Sequence, residues 1–193
     1  MTTLKFIREV KNSRLLLLGI AEEGESVRYT VSSAVLEEIG SPSVGDFLDE
    51  EQMEIIKAAD CRLKAQKKAL NILAFADNNK KNLAAKLYHA GFDRETVAET
   101  VDEMVSLGYI DERRQLKRII LSEANLKLRG PKKIIPTLIA KGYSSSDISS
   151  VMYELVDSGE IDFSRNARLL VEKKLSDVSD SEEKKKLLYK NGF

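Results

Sequence analysis

The 193-residue sequence has one cysteine and one histidine, and its 31 basic residues are matched by 31 acidic residues. A single cysteine excludes a disulfide framework within the chain. Cys61 and His89 together supply too few thiolate and imidazole ligands for a metal site built from those groups. The balanced net charge by itself implies no class of partner; only the distribution of charges along the chain can indicate one.

Long apolar runs are also missing. The apolar run at residues 14–20 is too short to cross a bilayer. Basic residues precede it, as in a signal peptide, but an acidic stretch follows at once, with no small-residue cleavage site. We therefore interpret this run as a buried strand, and we expect a cytoplasmic protein with no membrane partner.

Familiar enzyme motifs are absent as well: the sequence has no P-loop, no G-x-G-x-x-G after a strand, no G-x-S-x-G and no H-E-x-x-H. His89 has no evident orienting acid or nucleophile, so we interpret it as a surface residue, and Cys61 as a packing residue. Adjacent side chains such as Asp111 and Glu112 diverge by about 100° on a helix, so Asp111 is predicted to cap a helix. We predict a non-enzymatic protein without catalytic residues, cofactor or metal.

What the chain does contain is a repeat. The stretch Leu83–Asp111 recurs as Ile134–Asp162 at a constant offset of 51 residues, with seven identical positions that include two glycines. A third copy begins at 188–193, where Leu-Tyr-x-x-Gly-Phe matches residues 87–92. Glycine after a helical apolar pattern, followed by an apolar residue, is typical of a helix stop in the left-handed conformation. Each copy is therefore predicted to contain helix, glycine stop, helix, glycine stop.

The predicted fold class is mainly α: tandem three-helix repeats in an elongated, curved array, preceded by a small N-terminal antiparallel β segment. The strands are predicted at residues 4–10, 14–20 and 27–31. The predicted division is 1–59 for the strands and short helices, 60–110 for the first repeat, 111–161 for the second, and 162–193 for an incomplete third.

Several boundaries follow from capping residues. Asp49 is predicted to cap one helix and Asp60 to begin a second, stronger helix. Asp111 is predicted to cap a helix that runs to about Leu128. Because proline is tolerated only in the first helical turn, Pro136 predicts that the next helix begins near residue 132 or is kinked.

The third repeat is predicted to start at Asp162, with a loop over 176–181 and a helix over 182–191. Since its last helix is missing, Leu187, Leu188 and Phe193 are predicted to lack a packing partner, which would favour a dimer or partner contact.

Charge is unevenly distributed along the chain. Residues 21–60 carry eleven acids against two bases, whereas residues 113–141 carry nine bases against one acid, Glu123. This asymmetry indicates that the middle of the chain faces something anionic, although a solvated helix face remains the alternative. Helix N-termini with nearby lysines can also hold phosphate. The candidate filament- or DNA-facing residues are Arg113, Arg114, Lys117, Arg118, Lys127, Arg129, Lys132 and Lys133.

The ordered motifs over residues 60–193 resemble the RecX family of regulators of the bacterial RecA recombinase. They are Ala69-Leu70-x-x-Leu73-Ala74, Leu83-x-x-x-Leu87-x-x-x-Gly91-Phe92, Gly108-Tyr109-Ile110-Asp111, Gly130-Pro131-x-x-Ile134 and Leu138-x-x-Lys141-Gly142-Tyr143. The resemblance implies a non-enzymatic protein that binds the RecA–DNA filament along its groove and inhibits its activities, with weaker direct DNA binding; we expect the protein to be a monomer. It would thereby regulate recombination, DNA repair and the SOS response.

Two alternatives remain open on sequence grounds. One is a helical DNA-binding protein that uses its basic face without RecA. The other is a protein–protein scaffold unrelated to RecA.

Overall fold

The structure, a computed structural model, describes residues 2–22, 24–175 and 180–193. The chain forms two compact units. The first contains the chain up to Ala76 together with Ala84–Met104, and the second contains Asp77–Leu83 together with Val105–Phe193. The predicted fold class is confirmed in its main features, since most described residues are helical and a small antiparallel sheet precedes them.

The sheet of the first unit has the strand order β3-β2-β1-β4. Its strands are β1 (Thr2–Glu9), β2 (Leu15–Glu22), β3 (Glu25–Ser32) and β4 (Phe47–Leu48). The first three were predicted within a few residues, whereas β4 was not. Gly19 is required in β2 because an added Cβ would lie 2.1 Å from Cε1 of Phe6, whose ring covers it.

The first unit also contains α1 (Ser33–Glu38), α2 (Glu50–Phe75) and α4 (Arg94–Ser106). Apolar residues of the sheet, α1 and α2 form one core, which includes Leu18, Ile20, Val31 and Ile56. On the outer side of α2, Arg62 pairs with Glu99 of α4, and the Gln66 amide donates to Glu103 at 2.6 Å. These polar contacts link α2 to α4.

The prediction that a second helix begins at Asp60 is wrong, because α2 is one continuous helix of 26 residues. Asp49 does cap it, in a reciprocal capping box with Gln52. Asp60 is instead a buried residue of the helix interior. Its carboxylate accepts a hydrogen bond from the Thr30 amide at 2.8 Å and pairs with Lys64 at 2.6 Å. The aspartate resembles a cap in sequence, but its partner is a strand 30 residues away.

The helix α3 (Lys80–His89) begins after Asn79, whose side chain accepts from the Asn82 amide at 2.8 Å. The second unit then contains α5 (Glu112–Leu121), a π-helix (Ser122–Leu126), α6 (Pro131–Ala140), α7 (Ser145–Asp157), α8 (Phe163–Leu175) and α9 (Ser181–Lys190). Asp111, Ser144 and Asp162 cap α5, α7 and α8; the cap at Asp111 and a helical repeat starting at Asp162 were predicted. Fully buried apolar side chains of α5, the π-helix, α6 and α7 form the core of this unit.

The repeated glycines end their helices in the left-handed conformation, as the sequence predicted. Gly142 has φ +97°, and after it the Tyr143 amide donates to the Leu138 carbonyl at 3.2 Å. Gly192 has φ +87°, and the Phe193 amide donates to the Leu188 carbonyl at 3.1 Å. Both turns have the bond from C″ to C3 that defines the Schellman motif.

The α5 segment differs from the single helix predicted to run to about Leu128. The α-helix ends at Leu121, and the π-helix follows, closed by a bond from the Lys127 amide to the Ser122 carbonyl at 3.1 Å. Leu128 then has φ +50°. In α6, Pro131 occupies the first position, one residue before the predicted start, and Pro136 lies inside the helix.

The last residues of the chain contact the start of α6. The Gly130 amide donates to the Asn191 carbonyl at 2.8 Å, and the Lys132 amide donates to the Gly192 carbonyl at 3.1 Å. The prediction that Phe193 lacks a packing partner is wrong, because its ring contacts Phe163 edge to face, with centroids 6.5 Å apart. Of the loop predicted over 176–181, residues 176–179 lie outside the described residues.

Candidate functional site

The candidate site is centred on α5, whose first turn is fixed by the Asp111 cap; the Asp111 carboxylate accepts from the Arg114 amide at 2.9 Å. Four exposed bases follow, and we call them the α5 basic face: Arg113, Arg114, Lys117 and Arg118. The i, i+4 spacing arranges them in two rows, Arg113 with Lys117 and Arg114 with Arg118. The structure places different partners beside each row.

The first row faces two glutamates, one within α7 and one just after it. Arg113 pairs with Glu154, and the Lys117 ammonium lies 2.8 Å from the Glu160 carboxylate. The hydrogen bond from Lys117 holds the pKa of Glu160 below its ordinary value. Because these side chains are about half exposed, water screens both pairs strongly. The first row is therefore weakly neutralised.

The second row borders a recess of about 390 Å³, the Tyr109 recess, lined by Tyr109, Arg114, Gln115, Arg118 and nearby Asp77 and Asp111. Arg118 pairs with Asp77, and both side chains are more than 60% exposed. Arg114 forms no ion pair within the part of the chain that the structure describes. The Tyr109 side chain is 55% exposed. An exposed aromatic ring therefore lies beside two arginines.

Buried Gln115 lines this recess and is held by hydrogen bonds on both sides of its amide. Gln115 is buried, and its amide donates to the Asn78 carbonyl at 3.2 Å and accepts from the Tyr143 hydroxyl at 2.9 Å. Burial of Tyr143, together with the negative charges of Glu112 and Asp77, raises the pKa of its hydroxyl, so Tyr143 stays a neutral donor. The network fixes α5 against neighbouring backbone.

Lys127 and Arg129 have a different environment from the α5 bases. Both pair with Glu123 of the π-helix, which is 5% exposed, and the Lys127 contact is 2.7 Å. Burial acts to raise the pKa of the Glu123 carboxyl, but hydrogen bonds and charge from Lys127 and Arg129 more than offset it, so the pKa is lowered. These two bases therefore neutralise a buried acid, which gives them a structural role.

Lys132 and Lys133 lie at the N-terminus of α6, where the sequence indicated that phosphate could be held. The Lys132 amide already donates to the Gly192 carbonyl, and the Lys133 ammonium donates to the Lys190 carbonyl at 3.1 Å. The start of α6 is therefore covered by carbonyls from the end of α9. Only the lysine side chains remain candidates for an anionic partner.

The eight candidate bases differ in the contacts that each would have to give up in order to bind an anion. Exposed ion pairs are weak because water screens them, so a phosphate or carboxylate can replace Glu154, Glu160 or Asp77 at little cost. Removing a base from buried Glu123 would instead leave a buried charge short of a partner. The α5 basic face is therefore the part best suited to contact an anionic partner.

Sequence reasoning missed Tyr109. The residue follows a glycine stop and is exposed, whereas the next residue, Ile110, is buried at 4% exposure. The repeat contained a signal, because the residue 51 positions later is Glu160. A position that is tyrosine in one copy and glutamate in the next is not constrained by packing.

The other singled-out residues form no further site. His89 is exposed in the last turn of α3, and half-buried Cys61 lies 3.8 Å from the Thr96 hydroxyl. In residues 2–22, 24–175 and 180–193, no group of three or more His, Cys, Asp or Glu side chains is arranged to hold a metal ion. None of the helices described is both long enough and apolar enough to span a membrane.

Comparison with known proteins gave consistent relatives, although no family model matches the chain. The chain is 31% identical over 146 residues to the regulatory protein RecX of Clostridioides difficile (strain 630), covering 76% of this chain and 66% of the relative. It is 30% identical over 126 residues to the regulatory protein RecX of Chlorobium limicola (strain DSM 245), covering 65% of this chain and 79% of the relative. The regulatory protein RecX of Oceanobacillus iheyensis is 24% identical over 177 residues, 92% of this chain and 64% of its own length. The chain therefore spans just under two thirds of the C. difficile and O. iheyensis relatives.

Two solved structures share the fold. A crystal structure of regulatory protein RecX superposes with a TM-score of 0.74 at 21% identity, covering 100% of this chain and 95% of that one. The crystal structure of RecX from Lactobacillus salivarius gives a TM-score of 0.58 at 21% identity, covering 70% and 90% of the two chains.

Proposed function

Because the chain belongs to the RecX family, we propose that it regulates the RecA recombinase by binding the RecA–DNA filament, and that it does so as a non-enzymatic inhibitor in the cytoplasm. Regulation of recombination, DNA repair and the SOS response would follow from that activity. The relatives are known as regulatory proteins, and the proposal adds a partner and a direction of effect.

The observation that carries the proposal is the α5 basic face. Its four bases are exposed, and their acidic partners are exposed and weakly held. A nucleoprotein filament presents phosphates and acidic side chains, and charge complementarity of this kind mainly sets the association rate and orientation. Arg114 and Arg118 are the residues we expect to contact the filament most directly.

The test is RecA ATPase on single-stranded DNA with increasing amounts of the chain, together with co-sedimentation of the chain with filaments. We expect inhibition and co-sedimentation. The double variant Arg114→Glu/Arg118→Glu should weaken both by about tenfold or more, since reversal places like charges at the interface. Lys173→Glu/Lys174→Glu is the matched control, because both lysines are exposed on α8 and the charge change is the same.

The outcomes separate the function from its location. If the unmodified chain neither binds filaments nor changes ATPase at any concentration, regulation of RecA is refuted. If it inhibits, but the arginine and lysine double variants behave alike, RecA regulation stands and the assignment to the α5 basic face is lost.

A second candidate, direct binding of single-stranded DNA, is favoured by one observation: Tyr109 lies exposed beside Arg114 and Arg118. An aromatic ring between cations can stack on a base while the arginines contact phosphates, and such stacking contributes about 1–3 kcal/mol per base. Affinity for a bare oligonucleotide should then fall steeply with salt and fall about tenfold in Tyr109→Ala. Tight filament binding by Tyr109→Ala would favour the RecA proposal over this alternative.

A further inference from the structure

The helices α5 and α8 begin with the same three residues in the same roles: a capping aspartate, an exposed arginine and a buried amide. In α5 the Asp111 carboxylate accepts from the Arg114 amide at 2.9 Å, and in α8 the Asp162 carboxylate accepts from the Arg165 amide at 2.9 Å. Both arginines are exposed. They lie 51 residues apart, which is the repeat offset, so Arg165 is the counterpart of Arg114.

The buried amide that follows each arginine attaches the start of its helix to neighbouring backbone. Gln115 is 8% exposed and donates to the Asn78 carbonyl at 3.2 Å, and Asn166 is 6% exposed and donates to the Ala124 carbonyl at 3.1 Å. Adjacent side chains on a helix diverge by about 100°, so the inward amide leaves its arginine directed towards solvent. Each arginine is therefore held outward on an anchored helix.

No structural partner accounts for either arginine. Within residues 2–22, 24–175 and 180–193, neither Arg114 nor Arg165 forms an ion pair. Each is the third residue of its helix, where the positive end of the macrodipole disfavours a cation. Arg114 has no acidic partner even though α7 packs on α5, so this freedom belongs to the repeat position itself and is independent of what packs on α8.

The charge of the whole second unit favours an anionic ligand. The second unit has 19 bases and 14 acids, whereas the first unit has 12 bases and 17 acids. Their net charges are therefore +5 and −5, although the whole chain is balanced. Both arginines belong to the positive unit, whose field attracts a polyanion.

We propose that Arg114 and Arg165 contact the phosphate backbone of one nucleic-acid single strand, so that the surface on α5 extends to α8. A guanidinium binds phosphate through two parallel hydrogen bonds. A ligand that meets equivalent arginines on consecutive repeats must carry anionic groups along its length, as a nucleic-acid strand does. Exposed Tyr109, beside Arg114, adds a ring on which a base can stack.

This contact deepens the second candidate function, direct binding of single-stranded DNA, on which it rests. It adds Arg165 to the binding surface and assigns phosphate as the group that both arginines recognise. The acidic first unit supplies no equivalent residue, because the counterpart of Arg114 there is Leu63.

The test is a titration of the full chain into a fluorescein-labelled oligothymidine of about 30 nucleotides, long enough to span several contacts. Fluorescence anisotropy measures the affinity at a series of NaCl concentrations. For a single strand, each phosphate contact contributes about 0.7 to the slope of log K against log salt. Arg114→Ala and Arg165→Ala should each lower the magnitude of this slope by about 0.7, and the double variant by about 1.4.

Two control variants separate phosphate contact from a general effect of charge or folding. Lys174→Ala removes an exposed base of α8 that lies nine residues after Arg165, on the opposite side of the helix, and should leave the slope unchanged. Arg165→Lys keeps the charge and should restore most of the slope, whereas a structural role of the guanidinium would not be restored by lysine. Circular dichroism reports whether each variant is folded.

Three results would overturn the proposal. They are the absence of saturable binding at low salt, equal slopes in Arg165→Ala and Lys174→Ala, and competition by polyglutamate as strong as that by unlabelled oligothymidine at equal charge concentration. The last result would indicate an acidic protein as the ligand. Because the titration contains no RecA, inhibition of RecA ATPase by a chain that shows any of these results would leave RecA regulation standing without the nucleic-acid contact at Arg165.

Discussion

The α5–α7 segment and the α8–α9 segment start from nearly the same pattern and end in different states. In the first, α7 covers the pair α5 and α6, and the apolar residues Leu116, Ile120 and Leu138 are fully buried. In the second, the residues at the equivalent positions, Ala167, Val171 and Leu188, are only half-buried, and α9 is held by backbone contacts to the start of α6 and by the Phe163–Phe193 ring contact. The difference shows that the helix pair can be placed by its glycine stop and caps, while the third helix supplies the core.

The largest expected effect is a difference in stability between equivalent leucine truncations in the two segments. Leu138→Ala removes a fully buried side chain and should lower the free energy of unfolding by about 2–5 kcal/mol. Leu188→Ala, at the equivalent position of α9, should cost only about 1 kcal/mol, because its side chain still contacts water. Urea unfolding followed by circular dichroism measures the difference, and hydrogen exchange of the α5–α7 peptides assigns it to the second unit.

Equal losses in these two variants would contradict the comparison, because they would mean that Leu188 in α9 is as well packed as Leu138 in the core under α7. Leu169→Ala, on the exposed side of α8, is the matched control and should change stability by less than about 0.5 kcal/mol.

A second prediction concerns Glu123, whose counterpart in α8 is the exposed Lys174. Glu123→Gln removes the buried charge that Lys127 and Arg129 neutralise, and should cost about 1–3 kcal/mol at neutral pH. The cost stays below that of a fully buried pair because Lys127 and Arg129 are 53% and 31% exposed and can be solvated.

The pH dependence of this effect has a definite sign. The pKa of the Glu123 carboxyl is lowered in the folded chain, so its contribution is present above the unfolded pKa of about 4.3 and is lost as the pH falls through the folded value. The difference in unfolding free energy between Glu123 and Glu123→Gln should therefore shrink below about pH 4. A difference that is constant from pH 7 to pH 3, or that grows on acidification, would refute this account. Glu172→Gln should show neither effect.

The local signals in the sequence predicted the helical part well. Glycine at 142 and 192 and the caps at Asp111 and Asp162 act through bonds within a few residues, so the pattern alone contains their geometry. Asp60 was misassigned because its decisive partner, the Thr30 amide, is distant in sequence. The docking of α9 on Gly130 depends on a backbone approach so close that a Cβ on Gly130 would lie 2.3 Å from the Gly192 oxygen.

The candidate site was predictable in composition but not in arrangement. The sequence shows nine bases over residues 113–141, yet it does not show that Arg129 is committed to buried Glu123 while Arg114 is left without an acid among the residues described. Helical spacing relates bases on α5 to one another. It does not place the acids that approach from α7 or from residue 77, nor the ring of Tyr109, because those positions depend on the packing of several elements.

The smallest expected effect tests the claim that the α5 bases are free to change partners. Arg113 pairs with Glu154 in the covered segment, and its counterpart in α8 is Ser164. Because both side chains of the pair are more than half exposed, Arg113→Ala should cost at most about 1 kcal/mol, and the cost should vanish in 1 M NaCl, where the Debye length is about 3 Å. Ser164→Ala should be neutral at either salt concentration. A cost above about 2 kcal/mol that persists in high salt would mean that Arg113 is needed to hold α7 on α5. In that case an anionic partner could not recruit this base without loosening the core, and the filament contact would have to rest on Arg114 and Arg118 alone.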